Sequence, residues 1–270
     1  MEKQQNELIK EVVKEVAKDV YNDGVQPAVR ETGQILALIP RTIRAALLNV
    51  EKWIIDKENK RDLYNFTETK KLLEDKLQNT DPEQIVPIDA YIAVPALQYI
   101  SYCQDSDELR NMYANLLAKS MHETARSGVH PAFVEIIKQL CSDEAKILHI
   151  IDNDIPVVAL LFKNSIGESV EVVRGFSDIG EKAGCEYPEN IQSYLDNFER
   201  LGLIVPLQMT VFSDDAAYEL IKKHSLFIKM VEQYASEADE GYEPRMQNRG
   251  FSFTHFGQVF RKICIDSNIN

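Results

Sequence analysis

The chain has little of what usually announces chemistry. Its four cysteines, Cys103, Cys141, Cys185 and Cys264, stand far apart with no Cys-x-x-Cys pair, which excludes a thioredoxin-type motif and a cysteine-rich zinc site. The eleven glycines are dispersed, so neither G-x-x-x-x-G-K-S/T nor G-x-G-x-x-G occurs, and a serine nucleophile elbow is absent. The five histidines, His122, His130, His149, His224 and His255, form no metal spacing: His122-Glu123 opens an H-E pair, but Arg126 stands where the second His is needed. Each therefore reads as a surface or capping histidine. Asp152 and Asp154 in IIDNDIP lack the further acids of an EF-hand and read as a turn. No catalytic, cofactor-binding or metal-binding residue is expected. Cys103 and Cys264 sit among apolar neighbours and read as small core residues.

Long hydrophobic runs are missing as well. The longest uncharged piece of GVQPAVRETGQILALIPRTIRAALLNVEKWII is TGQILALIP, far short of the roughly 20 apolar residues that cross a bilayer. Arg41, Arg44 and Trp53 flank apolar residues there in an amphipathic pattern, which suits hairpin helices in a bundle or, as an alternative, residues 25–55 lying on a membrane surface. The opening MEKQQNELIKEVVKEV is charged throughout, so no signal sequence is expected and a cytoplasmic location is.

What the chain does have is acid, unevenly placed. The net charge is −13, yet residues 1–80 balance at 14 acidic and 14 basic side chains, while residues 141–270 hold 21 acidic against 12 basic. Nucleic-acid affinity rests on phosphate neutralisation, so this acidic half is a poor match for DNA without a concentrated basic face. The length of 270 residues favours two units.

The first half reads as helical. Leu8, Ile9, Val12, Val13, Val16 and Val20 share a helix face that stops at Asn22-Asp23-Gly24, and residues 57–80 carry Leu63, Phe66, Leu72, Leu73 and Leu77 as anchors. Asp81-Pro82 predicts the cap and first position of a helix over 83–104, with Ile88, Tyr91, Ile92, Pro95, Tyr99 and Cys103 on its packed face and a kink or break at Pro95. Asp105-Ser106-Asp107-Glu108 caps a further helix over 107–126, whose apolar face is Leu109, Met112, Tyr113, Leu116, Leu117 and Met121. The helices PAFVEIIKQLC and EAKILHIID follow, the second capped by Ser142-Asp143-Glu144.

IPVVALLF and ESVEVVRGF are then β-branched runs separated by KNSIG, a hairpin signal. A helix through Tyr194, Leu195 and Phe198 ends at Gly202 and turns into the strand-like IVPLQMTVF. A long helix is expected from about Asp214 to Ala238, and FSFTHFGQVF reads as a strand whose Thr254 caps a closing helix that buries Phe256, Phe260 and Ile263. This joint resembles the winged-helix fold. The fold class expected is thus mainly α: a helical bundle over 1–128, then a winged-helix-like α+β domain over 129–270 with a β-hairpin and an inserted long helix. In its helix pair Glu181, Glu186, Glu189, Asp196 and Glu199 oppose Lys182 and Arg200, which disfavours DNA; Arg245 and Arg249 flank the last strand as a candidate wing contact.

DPEQIVPIDAYIAVPALQYISYCQDSDELRNMYANLLAKSM with VHPAFVEIIKQLCSDEAKIL is similar to the signature region of the bacterial abortive-infection alpha (Abi-alpha) family, and DGVQPAVRETGQIL resembles its opening. The matching positions include Pro82, Pro87, Pro95, Ala114, Asn115, Pro131 and Glu144. The resemblance implies phage resistance through abortive infection and supplies no catalytic residues or cofactor to carry over; with the absent catalytic motifs and the acidic C-terminal half, the expectation is a non-enzymatic defence protein acting through a protein partner or homo-oligomer. The alternatives are a winged-helix DNA-binding regulator and the membrane-surface effector acting through 25–55.

Overall fold

The computed structural model describes residues 60–78, 80–100, 103, 106–152, 154–207 and 215–268. Arg41, Arg44 and Trp53, with the whole stretch 25–55, lie outside the described residues. Contacts divide the chain into two compact units, Met1–Leu140 with Val259–Asn270, and Cys141–Gln258. No helix among the described residues is long and apolar enough to cross a membrane.

The described part of the first unit is helical. α1 (Lys60–Leu77) buries Thr69, Leu73 and Leu77. The expected helix over 83–104 is broken, but not at Pro95. Asp81 accepts the amide of Glu83 and starts a single 3₁₀ turn, Pro82–Gln84, after which Ile85 forms an isolated bridge with His122 and Val86 donates to the carbonyl of Met121. Pro87 explains the interruption, because it disfavours helical backbone at Val86. α2 (Ala90–Ile100) then runs as one helix with Pro95 inside it. Its packed face is Ile92, Ala93, Ala96, Leu97 and Ile100; Tyr91 is 60% exposed, and Pro95 and Tyr99 are only half-buried. The proline therefore sits on a flank of the helix and not at the centre of its packed face.

α3 (Asp107–Ser120) starts as expected, with the Ser106 hydroxyl accepting the amide of Leu109, but it ends at Ser120 rather than 126. It is not amphipathic in use. Besides the expected apolar face, Arg110, Ala114, Asn115, Ala118 and Lys119 are buried, so the helix is enclosed on every side. α1, α2, α4 (Ala132–Lys138) and the last turns of the chain all pack on it. Tyr113 donates to the carbonyl of Val134, and Phe133 meets Phe260 edge-on at 5.3 Å.

The second unit opens with α5 (Ser142–Ile150). Its N-cap is Cys141, one residue earlier than expected: the sulfur accepts the amide of Glu144, and the Glu144 carboxylate accepts the amide of Cys141. β1 (Ile155–Lys163) and β2 (Ser169–Phe176) form the expected hairpin, closed by Asn164, whose side-chain oxygen accepts the amides of Ile166 and Glu168, and by Gly167 at φ 98°. α6 (Ile179–Lys182) and α7 (Ile191–Arg200) lead through Gly202, φ 73°, into β3 (Ile204–Pro206). β4 (Glu243–Phe253) completes an antiparallel sheet of order β2-β1-β4-β3. β1 pairs with β4 without interruption from Ile155↔Phe251 to Lys163↔Glu243, and Val157, Val158, Ala159 and Leu160 are all fully buried. This central position explains its continuous apolar run.

Between β3 and β4 the expected long helix is two: α8 (Asp215–Lys222) and α9 (Ser225–Glu237). His224 makes the break. Its backbone is extended, and its ring nitrogen caps α9 by accepting the amide of Leu226 while the other nitrogen meets Glu181 at 2.8 Å. Phe227 stacks on Phe176 at 5.3 Å, and Tyr218 donates to the carbonyl of Arg249, which ties these helices to the sheet. The Thr254 hydroxyl donates to the carbonyl of Gly202 and accepts the amide of Gly257, capping α10 (His255–Phe260) as expected. Phe260 and Ile263 are buried; Phe256 is only half-buried.

Candidate functional site

Asn115 and Lys119 are four residues apart on α3, one turn, and so share a face. That face meets Arg261–Ile265, which continues α10 in π-helical form. The last carbonyls of any helix lack amide partners. Here side chains supply them: Asn115 donates through Nδ2 to the oxygens of Cys264 (2.9 Å) and Ile265 (3.2 Å), and Lys119 through Nζ to those of Lys262 and Asp266 (2.7 Å). An ammonium is also well placed at a helix C-terminus, where the backbone dipoles present their negative ends. Both side chains are almost fully enclosed, at 1% and 2% exposure. Burial pulls the Lys119 pKa down, and the Asp266 charge offsets that only in part. Asn115 Oδ1 is buried with no hydrogen-bond partner.

Lys119 also lines a cavity of about 650 Å³, within the size range of small-molecule sites. The turns after α3 form one wall, with Thr124, Ala125, Ser127 and Gly128; the closing segment forms the other, with Val259, Lys262, Ile263 and Asp266. A side chain at Gly128 would stand 3.3 Å from Ile263 Cδ1, so the two walls meet closely there. His122 organises the turn. It is buried, not on the surface, with Nε2 at 3.1 Å from Gln84 Oε1 and Nδ1 at 3.0 Å from Thr124 Oγ1. Two of the other histidines are capping residues: His130 accepts the amide of Ala132, and His224 caps α9.

A second constellation surrounds Asp143 in the other unit. Its carboxylate accepts the amides of Glu186 and Tyr187 and the Tyr194 hydroxyl, and it pairs with Lys146 at 3.3 Å. Burial alone would raise this carboxyl; the two amides, the hydroxyl and the ammonium outweigh it and hold the pKa below the usual value. Every oxygen is engaged, so the group staples the loop after α6 to α5.

The candidate wing residues are compensated. Arg249 pairs with Glu171 at 2.6 Å and donates to Gln247; Arg245 pairs with Glu243 at 2.8 Å. Arg174, on β2, spans Asp196 and Glu199 of α7. Cys103 and Cys264 are core residues as expected, the Cys103 thiol pushed up to about 12 by burial. Among the described residues no cluster of three His, Cys, Asp or Glu side chains could hold a metal ion. The sequence marks Asn115 only as a position of the family pattern and does not mark Lys119. Their signal was an Asn-x-x-x-Lys pair set among Ala114, Leu116, Leu117 and Ala118.

The Abortive infection alpha family matches residues 61–264, which is most of the chain, so this chain belongs to that family. No curated protein matches it. A solved structure of an uncharacterized protein from the hydrocarbon-degrading marine bacterium Alcanivorax borkumensis SK2 is similar at 18% identity and a TM-score of 0.36, covering 48% of this chain and 90% of its own, a likeness too weak to argue from.

Proposed function

We propose that the protein is an anti-phage defence protein that works by abortive infection, through contacts with a protein partner or further copies of itself in the cytoplasm, and without catalysing a reaction. The observation that carries this reading is the family match over 61–264. The commitment of the conspicuous polar clusters to structural bonding supports the non-catalytic part: Asp143 is saturated by its four partners, and Asn115 and Lys119 hold backbone carbonyls. We read the second unit as winged-helix-like with α8 and α9 inserted, on the strength of the α6–α7 pair, the Gly202 exit and the pairing of β3 with β4. The pairing of Arg245, Arg249 and Arg174 with carboxylates supports a protein-binding role for it over a DNA-binding one.

Plating a panel of phages on bacteria that express the chain, beside bacteria carrying the empty vector, tests the proposal. Fewer or smaller plaques for at least one phage is the expected result. Equal plating for all of them would count against it.

A further inference from the structure

We propose that the cavity beside Lys119 is a binding site for a small phosphate monoester with an apolar body. The first reason is the balance of charge at the cavity, where Lys119 and Lys262 stand against one acid, Asp266. Lys119 is enclosed against two carbonyl oxygens, and the Asp266 charge offsets its burial only in part. A buried cation whose charge is only partly balanced favours an anion beside it and repels a cation. Two of its three N–H groups go to Lys262 and Asp266, and Lys119 lines the cavity.

The second reason is the number of donors. Lys262, Ser267 and Asn268, all exposed, line the same cavity and carry an ammonium, a hydroxyl and an amide. Their donors outnumber the two oxygens of a carboxylate and suit the three terminal oxygens of a phosphate ester. Thr124 and Ser127 do not add to this count, because Thr124 is engaged with His122 and Ser127 donates to the Thr124 carbonyl. Asp266, the acid of the rim, is half-exposed and faces Arg261 at 3.8 Å.

The third reason is the remaining wall. Ala125, Val259 and Ile263 present apolar surface next to these donors, which suits an ester's organic part better than a bare ion. The wall carrying Lys262 and Ile263 is also the π-helical stretch, a conformation that recurs at functional sites.

Calorimetric titration of the full chain with phenyl phosphate, inorganic phosphate and benzoate tests the proposal. Saturable binding of phenyl phosphate is expected, with inorganic phosphate weaker and benzoate at least about tenfold weaker. Lys262→Gln, whose side chain is exposed, should weaken phenyl phosphate about tenfold without moving the urea midpoint. Ser267→Ala is the second variant, with a smaller loss in the same direction. No saturable heat from any probe, benzoate bound as tightly as phenyl phosphate, or binding indifferent to both substitutions would each overturn it.

Discussion

Lys119, near the end of α3, donates 2.7 Å to the backbone oxygen of Asp266, a residue 147 positions further along the chain. With Asn115 it turns the centre of the helical unit into a C-cap for the closing segment. Asn115→Ala leaves the Cys264 and Ile265 oxygens without these donors, and should lower the unfolding free energy by about 1–3 kcal/mol. Lys119→Met removes two donors but also removes a charge that was costly to bury, so its loss should be the smaller. Both side chains hold one segment, so the double variant should lose less than the sum. Urea unfolding of the four proteins measures this; strict additivity would mean that the two side chains act independently.

Gly257 is a test of packing. A Cβ there would lie 1.9 Å from the carbonyl oxygen of Leu203, a backbone atom that cannot swing aside. Gly257→Ala should therefore cost as much as the upper part of the usual ~1–3 kcal/mol for overpacking, or more. Gly184→Ala offers a comparison, since its surroundings are open and its only strain is φ 68°. A thermal melt in which Gly257→Ala is the milder of the two would contradict the packing described.

Asp143 predicts a pH dependence with a definite sign. Its folded pKa lies below the reference 3.8, so at acidic pH the unfolded chain takes up this proton more readily than the folded one. The stabilisation is complete above 3.8 and is lost as pH falls through the folded value. Asp143→Asn should be less stable than the native chain at pH 7, and the gap between them should narrow as pH drops below 3.8. Urea midpoints across that range check it; a gap that widens in acid would reverse the assignment.

The arginines of β4 carry a prediction for nucleic acid. Arg245 and Arg249 face Glu243 and Glu171, so the strand offers duplex DNA little net positive charge. Fluorescence anisotropy with labelled duplex at low salt should show no saturation. A complex that forms and then weakens steeply with salt would mark phosphate contacts instead.

The parts of this fold governed by neighbours in sequence were legible in it. Ser106, Asp81, Gly202 and Thr254 act as the caps and turn that their residue types suggest, and KNSIG closes a hairpin. The misjudged parts depend on distant partners or on a competing local signal. Arg110, Asn115 and Lys119 lie outside the apolar face that the sequence predicts for this helix, and the carbonyls that satisfy the last two lie at the other end of the chain. The pairing of β1 with β4 joins strands some 90 residues apart, a separation at which no periodicity is informative. Pro95 is accommodated inside α2 while Pro87 precedes it at the interruption, and His224 breaks a run whose helical period continues across it. The cavity beside Lys119 has no motif because its walls come from two segments more than 130 residues apart.

Infection of liquid cultures at high and at low phage-to-cell ratios tests the central claim most directly. If the protein defends by abortive infection, cells that express it should collapse without a normal burst when every cell is infected, and the culture should survive when few are. Normal bursts at both ratios, indistinguishable from cells with the empty vector across the phage panel, would contradict it.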